Sequence, residues 1–320
     1  MTIVVLGDAN VDLTIALPGI DARGAIHPKT EPVVTSGGTA GNTASALGAL
    51  GTQVSFVGAV GDDAYGNFLV QELQEIGVNT GGVTLLQEHT AQVIALIDPN
   101  GERLLYVWPS TGGALSNLTV AHLDEQQLRS ATWLHVSGMC LQWEPIRSTM
   151  LAAMRIARSA GVPVSLDLNL RIENWGLAGA KLAAVQSAVE LANYVLGGGA
   201  EELMPLANAP DITSALRIVG EGKRTVVARL GAAGAEALDA SGTPYSAPGI
   251  NVAVQSLIGA GDAFNSGFIA ALTSELPLQD ALRWGNATAA LKVQGSPRRR
   301  SLPNRADVEK LLTEHHPSPR

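Results

Sequence analysis

Cysteine is almost missing from this chain, with Cys140 alone among 320 residues. One thiol excludes an intrachain disulfide and any zinc site built from several cysteines. Aromatic residues are scarce, at 4%, so an aromatic platform for a nucleobase has little to draw on. Positive charge is in deficit: 21 Lys and Arg face 29 Asp and Glu, a formal net charge of −8. That excludes a nucleic-acid binder relying on a global positive field, and equally a polybasic membrane binder. No run approaches the ~20 apolar residues of a membrane span. No basic leader precedes the first strand-like run, Thr2–Gly7, and a soluble cytoplasmic protein is expected. No internal repeat and no Pro- or Ser-rich linker interrupts the chain, so one domain over residues 1–320 is expected.

The chain has 46% hydrophobic and 16% charged residues, enough for a sizeable buried core. Its 35 glycines, about 11% against a usual ~7%, cluster where strand-like runs give way to helical ones. Strand-like runs are Ile3–Leu6, Val54–Val57, Trp133–Val136, Val162–Leu166, Tyr194–Leu196 and Val226–Leu230. Helical patterns alternate with them, at about 40–50, 64–76, 145–160, 178–191 and 211–220. Three more follow, at about 262–273, 278–294 and 304–314. This alternation predicts an α/β fold: a mainly parallel sheet with helices on both faces. Residues 11–36 and 88–108 break the pattern with strands that have no helix between them, and Asp98-Pro-Asn-Gly101 is a hairpin turn. They predict a small separate β-sheet, placed as a lid over the carboxyl edge of the main sheet, where open α/β folds bind ligands.

Two glycine-led helix starts carry the chemistry. Gly259-Ala260-Gly261-Asp262 opens the helix near 262. Bare backbone and unpaired first-turn N–H groups there suit a phosphate. Asp262 alone would read as a helix cap; beside a phosphate it is placed as a general base. The second start is Ser36-Gly37-Gly38-Thr39-Ala40-Gly41-Asn42, whose neutral donors suit a polyol. Asn10 and Asp12 alternate on one face of the strand after Gly7, where a carboxylate can accept from two hydroxyls.

In order and spacing, these segments resemble the ribokinase, or pfkB, family of carbohydrate kinases over about residues 2–314. The signature regions are Gly37–Gly51 with Val57–Gly66, and Ser256–Phe268. The resemblance implies transfer of the γ-phosphoryl group of ATP to a hydroxymethyl group, and a lid that often forms a dimer interface. It implies Asp262 as the catalytic base and Gly259, Ala260 and Gly261 as the anion hole. Asn10, Asp12, Gly37, Gly38 and Asn42 then fall at the sugar. Val226-Val-Ala-Arg229-Leu-Gly231-Ala-Ala-Gly234 is similar to the strand and turn that border the nucleotide, and Asn286 to the helix beside the adenine. Asp167-Leu-Asn169-Leu-Arg171, with Trp175, is similar to fructokinase-like and 2-keto-3-deoxygluconate-kinase-like members. Arg171 is expected near phosphates or an anionic substrate group, with a buried structural ion pair as its alternative.

Two positions depart from the family pattern. Ser256-Leu257-Ile258 replaces Asp-Thr-Thr, removing a charge that helps hold a monovalent cation; potassium dependence stays open, tilted against. Gly199 replaces the Asn of an N-x-x-E motif, while Glu202 remains near where magnesium's waters are expected. The resemblance implies ATP and Mg²⁺ as cofactors, a ketose or 2-keto-3-deoxy acid as favoured acceptor and a homodimer through the lid. A nucleoside or pseudouridine kinase and a non-catalytic sugar sensor are the alternatives. Asp262 is expected to be ionised at pH 7.

Several residues read as plain structure. His135 is a core histidine, Cys140 a buried thiol, and Arg298-Arg-Arg300 an exposed loop. The adjacent tail histidines, His315 and His316, read as solvated. Tyr106 and Trp108 end a lid strand and face either substrate or a dimer partner.

Overall fold

A computed structural model describes residues 2–17, 31–100, 103–295 and 302–315. The Arg298–Arg300 segment, His316 and the middle of the first lid region lie outside the described residues. Thirteen strands are described: β1 (Ile3–Leu6), β2 (Asn10–Ala16), β3 (Val33–Gly37), β4 (Val54–Gly61), β5 (Asn79–Leu86), β6 (Gln92–Ile97), β7 (Arg103–Trp108), β8 (Trp133–Ser137), β9 (Val164–Asp167), β10 (Tyr194–Gly198), β11 (Thr225–Arg229), β12 (Gly234–Leu238) and β13 (Pro244–Pro248). The α-helices are α1 (Thr39–Ala49), α2 (Ala64–Glu75), α3 (Glu125–Ser130), α4 (Ile146–Ser159), α5 (Ile172–Trp175), α6 (Gly179–Leu191), α7 (Met204–Ala207), α8 (Ile212–Gly220), α9 (Ala260–Thr273), α10 (Leu278–Gln294) and α11 (Arg305–Glu314).

Nine strands form the main sheet in the order β13-β12-β11-β10-β9-β8-β1-β4-β5. β1 runs parallel to β4 on one side and β8 on the other. Parallel pairing continues to β11; β12 pairs antiparallel with β11 and β13 antiparallel with β12, so β12 alone runs against the rest. Strands covered on both faces need apolar side chains at every position, and β1 reads Ile-Val-Val-Leu with all four buried. Its side chains alternate between two cores. Val4 and Leu6 pack into the core shared with α4, α6 and α8, while Ile3 and Val5 join that of α1, α2, α9 and α10.

The lid is the four-stranded sheet β3-β2-β6-β7. β2 and β3 pair antiparallel, with Asn10 opposite Gly37, and β6 and β7 form the expected hairpin. Six elements stand outside the sequence expectation, among them the four-residue helices α5 and α7. α3 has six residues, too few for a periodic signal. β5 carries Gly81 and Gly82 in its middle, and β12–β13 are short and lie at the sheet edge.

The strands end where the candidate residues begin. Ser137, Asp167, Gly198 and Arg229 are the last residues of β8, β9, β10 and β11. β1 leads through Gly7–Ala9 into lid strand β2, and β3 runs through Gly38 into α1. The site therefore forms where the carboxyl edge of the main sheet meets the lid.

Candidate active site

The two glycine-led helices meet at one hydrogen bond. Nδ2 of Asn42, in the first turn of α1, donates to Oδ2 of Asp262, in the first turn of α9, at 2.8 Å. Gly259 caps α9 with φ 76°, a left-handed conformation that favours glycine. A Cβ there would stand 3.2 Å from Cε of Lys292, so α10 brings a cation to the glycine loop. The Ala260 N–H already donates to the Leu257 carbonyl at 3.2 Å. Of the three residues expected at the anion hole, Ala260 thus has its N–H engaged within the loop, at the positive end of α9.

Asp262 is 7% exposed. Burial pushes its carboxyl up to about 7, Asp167 and Asp8 push the same way, and Asn42 and Arg229 oppose them. The expectation of an ionised base at pH 7 is thereby corrected to one about half protonated there. The carboxyl titrates around neutrality, where its deprotonated form offers a lone pair to a proton and then holds that proton firmly.

Arg229 lies against Gly261, whose carbonyl accepts from its Nη1 at 3.5 Å. Its guanidinium donates to Asp167 Oδ1 at 2.7 Å and Asn265 Oδ1 at 2.8 Å, with Glu202 Oε2 at 3.5 Å. It brings positive charge under the anion hole while its hydrogen bonds serve the protein. Glu202 accepts from the Leu170 N–H at 2.6 Å and the Gly198 N–H at 2.7 Å. Burial nonetheless raises its carboxyl above the ordinary range, with Arg229 opposing. Asp167 takes the buried ion pair that was the alternative for Arg171. Arg171 itself is exposed, with φ 46°, at the start of α5. Its neighbour Asn169, at φ 38°, donates to Thr39 Oγ1 at 3.1 Å.

On the lid side, Asn10 Nδ2 donates to Asp12 Oδ1 at 2.6 Å, so both side chains share a face of β2. Burial lifts the Asp12 carboxyl to about 6, with Asp8 adding to the rise and the Asn10 hydrogen bond opposing it. A Cβ on Gly37 would strike that carboxylate at 2.6 Å. Gly38, at φ 89°, passes over the Asp8 carbonyl.

On the far side of α9, Gly231 (φ 59°) and Gly234 (φ 101°) shape the turn between β11 and β12. Asn286 Nδ2 donates to the carbonyls of Ala247 and Pro248 at 3.0 and 3.1 Å, so its amide pins α10 to β13. His135 is buried against Ser165 Oγ at 2.8 Å and lowered to about 4 by burial, as a core histidine should be. Cys140 is buried, and burial raises its thiol. Trp108 packs on His89 with ring centroids 4.8 Å apart, while Tyr106 is exposed. Motif spacing did not single out Asp8 or Lys292: each acts on a glycine loop from another element, a pairing that appears only in three dimensions.

The site joins a buried carboxyl at the N-terminus of a glycine-led helix to the Asn10–Asp12 face of β2, groups whose chemistry suits phosphoryl transfer to an alcohol. Comparison with known proteins gives the same class. Residues 1–305 match the pfkB family of carbohydrate kinases, and the chain belongs to that family. It is 32% identical to a fructokinase of Salmonella typhimurium over 96% of this chain and 97% of that protein. It is 27% identical to a 5-dehydro-2-deoxygluconokinase of Clostridium botulinum, over 87% and 84%. A fructokinase from Xylella fastidiosa, solved with bound ATP, superposes with a TM-score of 0.85 at 25% identity, covering 99% of each chain.

Proposed function

We propose that this chain transfers the γ-phosphoryl group of ATP to a hydroxymethyl group of a ketose or a 2-keto-3-deoxy sugar acid. The observation that carries the reading is the Asn42–Asp262 contact at 2.8 Å, which joins the polyol-facing helix to the phosphate-facing one. Asn10, Asp12 and the Gly37–Gly38 backbone hold the acceptor's hydroxyls. Asp262 accepts the proton of the attacking hydroxyl as its oxygen bonds to the γ-phosphorus. The bond from that phosphorus to the β–γ bridging oxygen breaks, and ADP leaves. The first-turn N–H groups of α9, with Arg229 beneath them, stabilise the charge on the transferred group. Gly231 and Gly234 border the nucleotide, with Asn286 holding the seam behind it. Arg171, exposed at the rim, receives a phosphate or the carboxylate of an acid substrate.

Among the described residues no group of three His, Cys, Asp or Glu is arranged to hold a metal ion. Magnesium would arrive on the phosphates of ATP with its own waters and would neutralise phosphate charge there. Glu202, both oxygens already accepting backbone N–H groups, would act only through such a water. Leu257 and Ile258 are 71% and 61% exposed in the loop before Gly259 and bring no carboxylate for potassium. No described helix is long and apolar enough to cross a membrane. We further propose a homodimer of this chain through the lid: Leu104, Leu105, Tyr106 and Val107 stand exposed in succession on β7, an edge strand.

The test is ATP consumption with a panel of ketoses, keto sugar acids and nucleosides, with and without K⁺, beside Asp262→Asn. Turnover on a ketose or keto acid, falling about 10²–10⁴-fold in the variant, is expected. Turnover confined to nucleosides would replace the substrate class. Equal turnover in the variant would remove Asp262 as the base. Binding of a sugar without any turnover would make the chain a sensor.

A further inference from the structure

We propose that Asp8 is a positioning residue of this site, closing the N-terminus of α1 to anions and fixing Asn42 against Asp262. The inference rests on the kinase reading for its activity arm and on geometry for the rest. A helix starts with N–H groups that lack intrahelical partners. In α1 Asp8 takes all of the first three. Its Oδ2 accepts from the Thr39 N–H at 2.7 Å, its Oδ1 from the Ala40 N–H at 3.4 Å, and its backbone carbonyl from the Gly41 N–H at 2.9 Å. The next residue is Asn42, whose own N–H donates to the Gly38 carbonyl at 2.8 Å. The first turn is thus held rigidly up to the side chain that touches the base.

The Thr39 hydroxyl extends the same hold to two strands of the main sheet. It donates to Asp8 Oδ1 at 2.9 Å, meets Ser137 Oγ at 2.7 Å and accepts from Asn169 Nδ2 at 3.1 Å. Ser137 ends β8, and Asn169 follows β9. Two glycine-led helices thereby face one site with opposite electrostatics. The start of α1 carries a carboxylate and meets neutral hydroxyls. The start of α9 keeps free donors, with Arg229 beneath and Lys292 alongside, and meets phosphate. The acceptor can then enter in one polarity only, with its anionic product end toward α9.

The charged and titratable groups around Asp262 are Asp8 after β1, Asp167 at the end of β9, Arg229 at the end of β11 and Lys292 on α10, with Asn42 as its hydrogen-bond partner. Asp8 adds to the proton affinity of Asp262. Removing its charge should move the titration of Asp262 to lower pH.

The experiment compares the full-length protein with Asp8→Asn by two readouts. The first is carboxyl NMR titration of the Asp262 side chain, assigned with Asp262→Asn, alongside the Asn42 side-chain amide signal. The second is the pH profile of kcat/KM with the best acceptor of the panel. In Asp8→Asn we expect the Asp262 titration to move to lower pH, the Asn42 amide signal to shift, and kcat to fall about 10–100-fold with KM for ATP nearly unchanged. An Asp262 titration and an Asn42 signal identical to wild type would overturn the proposal, even if the melting temperature fell. The NMR arm needs no turnover, so a failed kinase assay would strike the proposed function and leave this result standing.

Discussion

At the scale of single residues, the burial of Asp262 sets both rate and stability. Activity limited by this base should climb through neutral pH, with half its plateau near pH 7. Stability should run the other way. The unfolded carboxyl loses its proton near 3.8 and the folded one near 7. Between these values the native state binds the extra proton, so stability falls as pH rises and levels off above about 7. Asp262→Asn should flatten that fall while abolishing most activity. Urea denaturation at a series of pH values checks the slope, and a steep decline persisting in the variant would assign it to another group. Asp262 itself was legible in the sequence because its partners in the glycine loop are contiguous with it. The Asp167–Arg229 pair was not legible. Its members are 62 residues apart, and only the placing of β10 between β9 and β11 brings them together.

At the scale of elements, α9 can serve the site only while it lies close to α10. Gly267 allows this: a Cβ there would collide with the Thr288 hydroxyl and stand 2.6 Å from the Trp284 carbonyl. Gly267→Ala should push the helices apart and destabilise the fold by about 1–3 kcal/mol, the usual cost of overpacking. Chemical denaturation reads the loss, and an unchanged midpoint would show that the interface yields. The central parallel strands were legible because burial on both faces writes uninterrupted apolar runs such as Ile3–Leu6. β5, β12 and β13 escaped because glycines and edge positions break that pattern. The lid hairpin was legible from Asp98-Pro-Asn-Gly101, and Asn100 N–H donates to Asp98 Oδ1 at 2.9 Å there.

At the scale of the whole molecule, the β7 edge is the feature that most invites association. Four successive exposed apolar residues on an unpaired edge are uncommon in a chain that stays alone. Leu105→Glu should convert the expected dimer to a monomer, observed by light scattering after size exclusion. A wild-type protein that already runs as a monomer would remove the dimer from the account. The division of labour between the two sheets has a wider meaning. Asn10 and Asp12 ride on β2 in the small sheet, whereas Asp262 belongs to the main body. In the proposed reaction the grip on the acceptor and the removal of its proton would reside in separate parts, and both would have to be in register before the phosphoryl group moved. A molecule working this way would act as a coincidence detector. ATP bound without an acceptor would then meet a base with nothing beside it to deprotonate, and water, too small to span both parts, would be a poor substitute.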